Sequence, residues 1–181
     1  MRLQAALPRT RTHHPVEGGV LKYFYDTEFL EDGHTFDLIR IGIVAEDGRE
    51  YYAVSKEADW DRINNHSWLT RNVVPQLPPE REWQTREQIR KGITQFMAGT
   101  DPELWAWFSS WDHVCLMQLW GSMMDQPRWL PMYTHDARSF LDYIPRTTLP
   151  PQQTSGLHDA LEDARHVKRM HDYIFDRTNR L

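Results

Sequence analysis

A mixed α/β sheet with helices packed against it is the fold class this sequence predicts. Three strand-like runs come early in the chain, joined by connections short enough for an antiparallel meander. After them, strand-like runs alternate with helical stretches. The order reads β-β-β-α-β-α-β-α-α.

Residues 1–19 bear Pro, Arg and His without periodicity and read as a mobile tail, with one domain over residues 20–181. Val20 to Thr27 is strand-like, and Phe36 to Ala45 (FDLIRIGIVA) is a second strand rich in Ile and Val. The stretch Glu46-Asp47-Gly48-Arg49 supplies an Asp-Gly turn, and Glu50 to Ser55 is the third strand. Lys56 to Asn64 suits a short helix, and Pro75 to Glu80 a loop. Thr85 with Gln88 three residues later has the capping-box pattern; Ile89, Ile93 and Phe96 follow at helical spacing, and Gly99 suits the stop. Leu104 to Ser109 alternates like a strand, and Asp112 to Trp120 reads as a helix. Trp129 to Thr134 is a short strand, and Asp136 caps a helix through Tyr143. Pro145 to Gly156 is a loop. Leu161, Ala164, Val167, Met170 and Ile174 mark a final amphipathic helix beginning near Leu157.

Composition narrows the class. The 181 residues carry a formal charge of −5, against the basic footprint of a passive nucleic-acid binder. That balance weighs less against an enzyme that holds a strand through metal ions. No apolar run reaches membrane-spanning length, and the N-terminus lacks the apolar core of a secretory signal. The single cysteine, Cys115, excludes an internal disulfide and fits a reducing cytoplasm.

Within KYFYDTEFLEDG, Asp26 and Glu28 stand two apart at the end of an aromatic strand. That spacing sends both carboxylates to one face, about 7 Å apart along the strand, with Tyr25 and Thr27 on the other. Two like charges ~4 Å apart cost roughly 4 kcal/mol at an effective dielectric of 20. A shared divalent ion reverses the sign, and hard oxygen ligands favour Mg²⁺ or Mn²⁺ over Zn²⁺. Solvated acids at a strand end would look the same in sequence. Asp112 falls where the fourth strand gives way to a helix, a place where open α/β sheets build ligand sites and where an acid also complements a helix dipole. His158 and Asp163 are five apart, about 140° around one helix, so they converge only if His158 lies before the helix or in its first turn. Gly156 permits that break. An imidazole there can take a proton from water near neutral pH. Alternatively both are surface residues, with Arg165, Lys168 and Arg169 as ordinary partners for Asp163.

Taken in order, YDTEF, SSWDHVCLMQLWG and HDALEDAR resemble the three exonuclease motifs of the DEDDh family of 3′–5′ exonucleases, which share a ribonuclease-H-like fold. Within it, YDTEFLEDG, WDHVCLMQLWG, PMYTHDAR and HDALEDARHVKRM are most similar to the compact RNase AS exoribonucleases, which prefer adenylate-rich RNA. The likeness spans residues 22–174; the tail before Val20 has no counterpart in it. The resemblance implies that Asp26, Glu28 and Asp163 hold one Mg²⁺ or Mn²⁺, that Asp26 and Asp112 hold a second, and that His158 is the general base. It implies a homodimer that releases nucleoside 5′-monophosphates, AMP among them, from single-stranded RNA 3′ ends.

Single strands are gripped by stacking on aromatic faces. Phe29, directly after the acid pair, is the first candidate and Trp68 the second. Arg138, inside a shared motif, could touch phosphate or form a surface ion pair. Trp105 and Trp107 suit core packing. The His113, His135 and His166 spacing matches no compact zinc pattern. Three other readings use the same residues: a DNA 3′–5′ exonuclease, a hydrolase of small oligonucleotides, or a non-catalytic nucleic-acid-binding module. Contacts to the 2′-hydroxyl separate RNA from DNA, and no short motif reveals them.

Overall fold

The computed structural model describes residues 18–143 and 155–178. Nearly all of the expected tail and the loop from Pro145 lie outside them. A five-stranded mixed sheet runs through the middle in the order β3-β2-β1-β4-β5. It comprises β1 (Val20–Glu31), β2 (Phe36–Ala45), β3 (Glu50–Val54), β4 (Asp101–Ala106) and β5 (His135–Asp136). Strands β1, β2 and β3 form the antiparallel meander, while β4 pairs parallel to β1 and β5 parallel to β4. This is a ribonuclease-H-like mixed sheet flanked by helices.

Alternation along β1 divides the core. Tyr23 and Tyr25 face Ile89 and Ile93 of α3 (Arg86–Phe96) and Cys115 and Leu116 of α4 (Ser110–Met117). Phe24 faces the other way, onto Val167, Met170 and Ile174 of α6 (Ala160–Thr178). Further along that second face Leu30 joins Ile63 of α1 (Trp60–Asn65) and Leu69 of α2 (Ser67–Asn72). The capping box at Thr85 forms as read, with Gln88 N–H donating to Thr85 Oγ1 at 3.1 Å and Thr85 N–H to Gln88 Oε1 at 2.8 Å. Gly48 turns at φ +90°. Asp136 accepts from Arg138 N–H at 2.9 Å and caps α5 (Ala137–Phe140).

Some expectations are corrected. The first strand does not stop at Thr27: β2 pairs with it as far as Glu31, opposite Phe36, so the two acids lie inside a strand rather than at its end. The fourth strand begins at Asp101 and ends at Ala106. Trp129 to Thr134 is not a strand. Pro131 within it has no N–H to give a ladder, and Gln126 Nε2 donates to the Leu130 and Pro131 carbonyls at 3.2 and 2.8 Å; only His135–Asp136 pairs, beside Trp105 and Ala106. α2 was not legible because its N-cap is His66, whose Nδ1 accepts from Leu69 N–H at 3.3 Å; Ser, Thr, Asp and Asn are the usual signals. The helix from Asp112 starts earlier, at Ser110, and tightens to a 3₁₀ turn over Gln118–Trp120.

Candidate active site

β1 presents Asp26 and Glu28 on the face it shares with α6. Their partners across the ladder on β2 are Gly42 and Arg40. Gly42 has a steric reason to be there. A Cβ on it would lie 2.4 Å from the Ala160 carbonyl and the Leu161 nitrogen. Without a side chain, the first turn of α6 rests directly on the β2 backbone, beside Asp26.

Asp112 arrives from the other side. β1 pairs with β4 only through Phe24, which leaves the edge of β1 beyond it open. The chain leaves β4, turns into α4, and the third residue of that helix fills the gap. Asp112 Oδ1 accepts from the Thr27 backbone N–H at 2.8 Å and from the Thr27 hydroxyl at 2.6 Å. The carboxylate thus takes the place of a missing ladder acceptor.

His158 and Asp163 come from the start of α6. His158 stands two residues before the helix, at φ +63°, a left-handed conformation that costs an L-residue roughly 1–2 kcal/mol. Gln76 Nε2 donates to the neighbouring Leu157 carbonyl at 3.0 Å, and the Trp68 ring meets the imidazole edge-on, centroids 4.8 Å apart. His158 Nδ1 lies 3.8 Å from Glu28 Oε1. Asp163 sits in the first turn, its N–H bonded to the Asp159 carbonyl at 2.8 Å. Glu28, His158 and Asp163 each bring one ligand atom into a group whose members lie within 4.8 Å of one another.

This arrangement strains the ionised acids. Burial raises the Asp26 carboxyl well above the usual range, and the charges of Asp112, Asp163 and Glu28 add to the rise. Burial pushes Glu28 up to about 8, against the opposing pull of Arg40. Asp112 is pushed to about 7 by burial despite its Thr27 hydrogen bonds. Desolvation and mutual repulsion are the penalties a divalent cation removes. An all-carboxylate set with one imidazole at its rim suits Mg²⁺ or Mn²⁺, so the residues present fit such ions.

The remaining sequence candidates have varied surroundings. Phe29 is half-buried and packs edge-on against Phe36, which in turn tilts onto the exposed Trp111. Trp68 is 42% exposed beside His158. Arg138 pairs with Asp142 one helical turn away at 2.9 Å, the surface ion pair that was one of its two readings. Trp105 is core and His135 stacks on it. Arg165 is engaged with Glu50 and Glu162, and Lys168 with Asp172, rather than with Asp163. Sequence reasoning passed over Arg40, Gly42 and Thr27. The signal for Arg40 was available: it is the one charge inside the apolar run LIRIGIVA, and a buried charge needs a purpose.

Fold and site together define a class, a ribonuclease-H-like domain with a buried acid cluster on its central strand. The chain belongs to the 3′–5′ exoribonuclease Rv2179c-like domain family, whose profile matches residues 21–175. It is 49% identical over 154 residues to the 3′–5′ exoribonuclease Rv2179c of Mycobacterium tuberculosis, covering 82% of this chain and 90% of that protein. The 3′–5′ exoribonuclease MT2234.1 of a second strain of that organism matches to the same extent.

Proposed function

We propose that this protein is a metal-dependent 3′–5′ exoribonuclease of the DEDDh type, of the RNase AS group, that shortens adenylate-rich single-stranded RNA from its 3′ end. The observation that carries the reading is the convergence of Glu28, His158 and Asp163, from a strand and from a helix start 130 residues further along the chain, onto one position beside Asp26. Both Mycobacterium tuberculosis relatives are 3′–5′ exoribonucleases by name, which points the same way.

Asp26, Glu28 and Asp163 would hold one divalent ion, and Asp26 with Asp112 a second. Two such ions would supply Lewis-acid stabilisation of the attacking and leaving oxygens in an in-line displacement. His158 takes the proton of the attacking water. Its side chain is 44% exposed, so the proton can pass on to solvent. Water oxygen bonds to phosphorus as the P–O3′ bond breaks; the released O3′ takes up a proton from solvent and becomes the new 3′-hydroxyl of the shortened strand, and the terminal nucleotide leaves as a 5′-monophosphate. Thr27 keeps Asp112 in one rotamer, and the αL turn at His158 sets the imidazole against Glu28. The Trp68 ring, and Phe29 within its aromatic row, offer faces for the last bases. The reading includes a homodimer, for which the exposed Trp111 and Val114, one turn apart on α4, offer apolar surface.

The test uses 5′-labelled RNA ending in oligo(A) and its DNA counterpart, each with Mg²⁺, Mn²⁺ or EDTA. A metal-dependent ladder on RNA, absent in His158→Ala, is expected. A ladder on DNA alone would change the substrate class, and no shortening of either would overturn the exonuclease reading.

A further inference from the structure

Among the described residues, Arg40 is the largest side chain buried without measurable exposure. It sits in β2 across the ladder from Glu28. Taking a guanidinium out of water is costly, and its desolvation is repaid only by well-placed partners. Those present are few. Arg40 Nη1 donates to Asp159 Oδ2 at 3.2 Å and lies 3.5 Å from the Tyr52 hydroxyl, while Nε and Nη2 have no hydrogen-bond partner among the described residues. As a device for stability alone, an apolar side chain of similar volume would serve as well.

Asp159 shows what the charge holds. Its two oxygens are divided: Oδ2 accepts from Arg40, and Oδ1 accepts from the N–H groups of Leu161 and Glu162, at 3.2 and 3.1 Å. One carboxylate therefore ties the floor of the sheet to the first turn of α6. Its sequence neighbour is His158, and its own carbonyl accepts the Asp163 N–H. The same strand carries Gly42, where that turn touches the sheet backbone.

We infer that Arg40 and Asp159 form a positioning pair, which locks the start of α6 to β2 so that His158 and Asp163 meet Glu28 and Asp26 at ion-binding distance. The Arg40 charge also favours the ionised form of Glu28. This rests on the metal-site reading proposed above. Hydrogen-bonded groups behind metal ligands typically change metal affinity or activity by about 10–100-fold when removed.

The experiment compares the full chain with Arg40→Met, Arg40→Lys, Asp159→Asn and the Met/Asn double variant. Asp159→Asn is the cleaner probe, since asparagine still caps a helix but loses the ion pair. Mn²⁺ affinity is read by titration calorimetry without RNA, melting temperature by circular dichroism, and kcat and KM on oligo(A) RNA. Expected is a Mn²⁺ Kd weakened about tenfold or more in Arg40→Met and in Asp159→Asn, a fall in kcat with little change in KM, partial recovery in Arg40→Lys, and a double variant little worse than Arg40→Met or Asp159→Asn alone. Folded Asp159→Asn protein with Mn²⁺ Kd and kcat within about twofold of wild type, whatever its melting temperature, would reduce the pair to a structural contact and overturn the inference. If Arg40→Met does not fold, Asp159→Asn decides alone. Wild-type protein that binds no Mn²⁺ would instead remove the metal-site reading, and this inference with it.

Discussion

The Asp112 carboxylate accepts two hydrogen bonds from one residue, the backbone N–H and the hydroxyl of Thr27, through the same oxygen. Thr27 itself points to the core side of β1, away from Asp26 and Glu28. It therefore works from behind the acid cluster, fixing a carboxylate that a helix brings to the sheet edge. Thr27→Val keeps the N–H and the side-chain shape but loses the hydroxyl. An unmade bond to a buried acceptor costs about 1–3 kcal/mol, and urea unfolding of the metal-free variant should show that loss, with turnover lowered in parallel. Unchanged stability and turnover would show that the N–H alone holds Asp112.

Asp26→Asn and Asp163→Asn should each abolish measurable turnover while the fold survives, because each removes a proposed metal ligand rather than core packing. Asp26→Asn should also raise the melting temperature of the metal-free protein near neutral pH, since folding then no longer has to bury a carboxyl that desolvation and three neighbouring carboxylates force to take up a proton. Circular dichroism melts in EDTA, run beside the RNA assay, check both. Near-wild-type activity in either variant would sink the ligand assignment.

His158→Ala should lower kcat about 10²–10⁴-fold, the range for loss of a general base. Mn²⁺ binding should weaken far less than in Asp163→Asn. A steady-state series read beside calorimetry separates the two roles, and an equal loss of metal affinity in both would make His158 a ligand first.

The metal-free protein should lose stability as pH rises. The folded pKa values of Glu28 and Asp112, about 8 and about 7, lie above their ordinary values of 4.5 and 3.8. Groups raised in this way stabilise the fold below their unfolded pKa and lose that contribution as pH climbs through the folded one. Melting temperature in EDTA should therefore fall between about pH 4 and pH 8. Mn²⁺ requires the ionised forms, so the stabilisation it gives should be larger at pH 8 than at pH 5. A pH-independent metal effect would contradict the raised carboxyls.

Gly42→Ala should destabilise and inactivate together. Its Cβ would meet backbone atoms of Ala160 and Leu161 at 2.4 Å, and overpacking of this kind costs typically 1–3 kcal/mol. Backbone cannot rotate aside as a side chain can, so α6 must lift and carry His158 and Asp163 with it. Urea unfolding and the RNA ladder should move together.

The meander, the α3 capping box and the face shared by Asp26 and Glu28 were legible because each is a local signal, written within a few residues. The separation of His158 from its helix was legible too, since five residues on one helix could not converge. What escaped was set by tertiary distance. Nothing local announces that Thr27 will meet Asp112, 85 positions on, or that Gly42 is bare because a helix start lies on it. The two-residue β5 is held by β4 rather than by its own propensity, so the pattern placed it a few residues early.

The register step in the β1–β2 hairpin has a further consequence. Glu28 faces Arg40, but Phe29 faces Leu38, so Ile39 is a surplus residue and both it and Arg40 lie on the α6 side of the sheet. The hairpin behaves as two rulers joined end to end. The inner one, from Tyr23 to Glu28, sets the phase of the acids; the outer one, from Phe29 to Glu31, sets the phase of the packing under α1 and α2. A change of length or sequence at the hairpin tip is absorbed at the joint, and the phase of the inner ruler is left alone. The outer half of the hairpin can thereby vary without the spacing of Asp26 and Glu28 having to change.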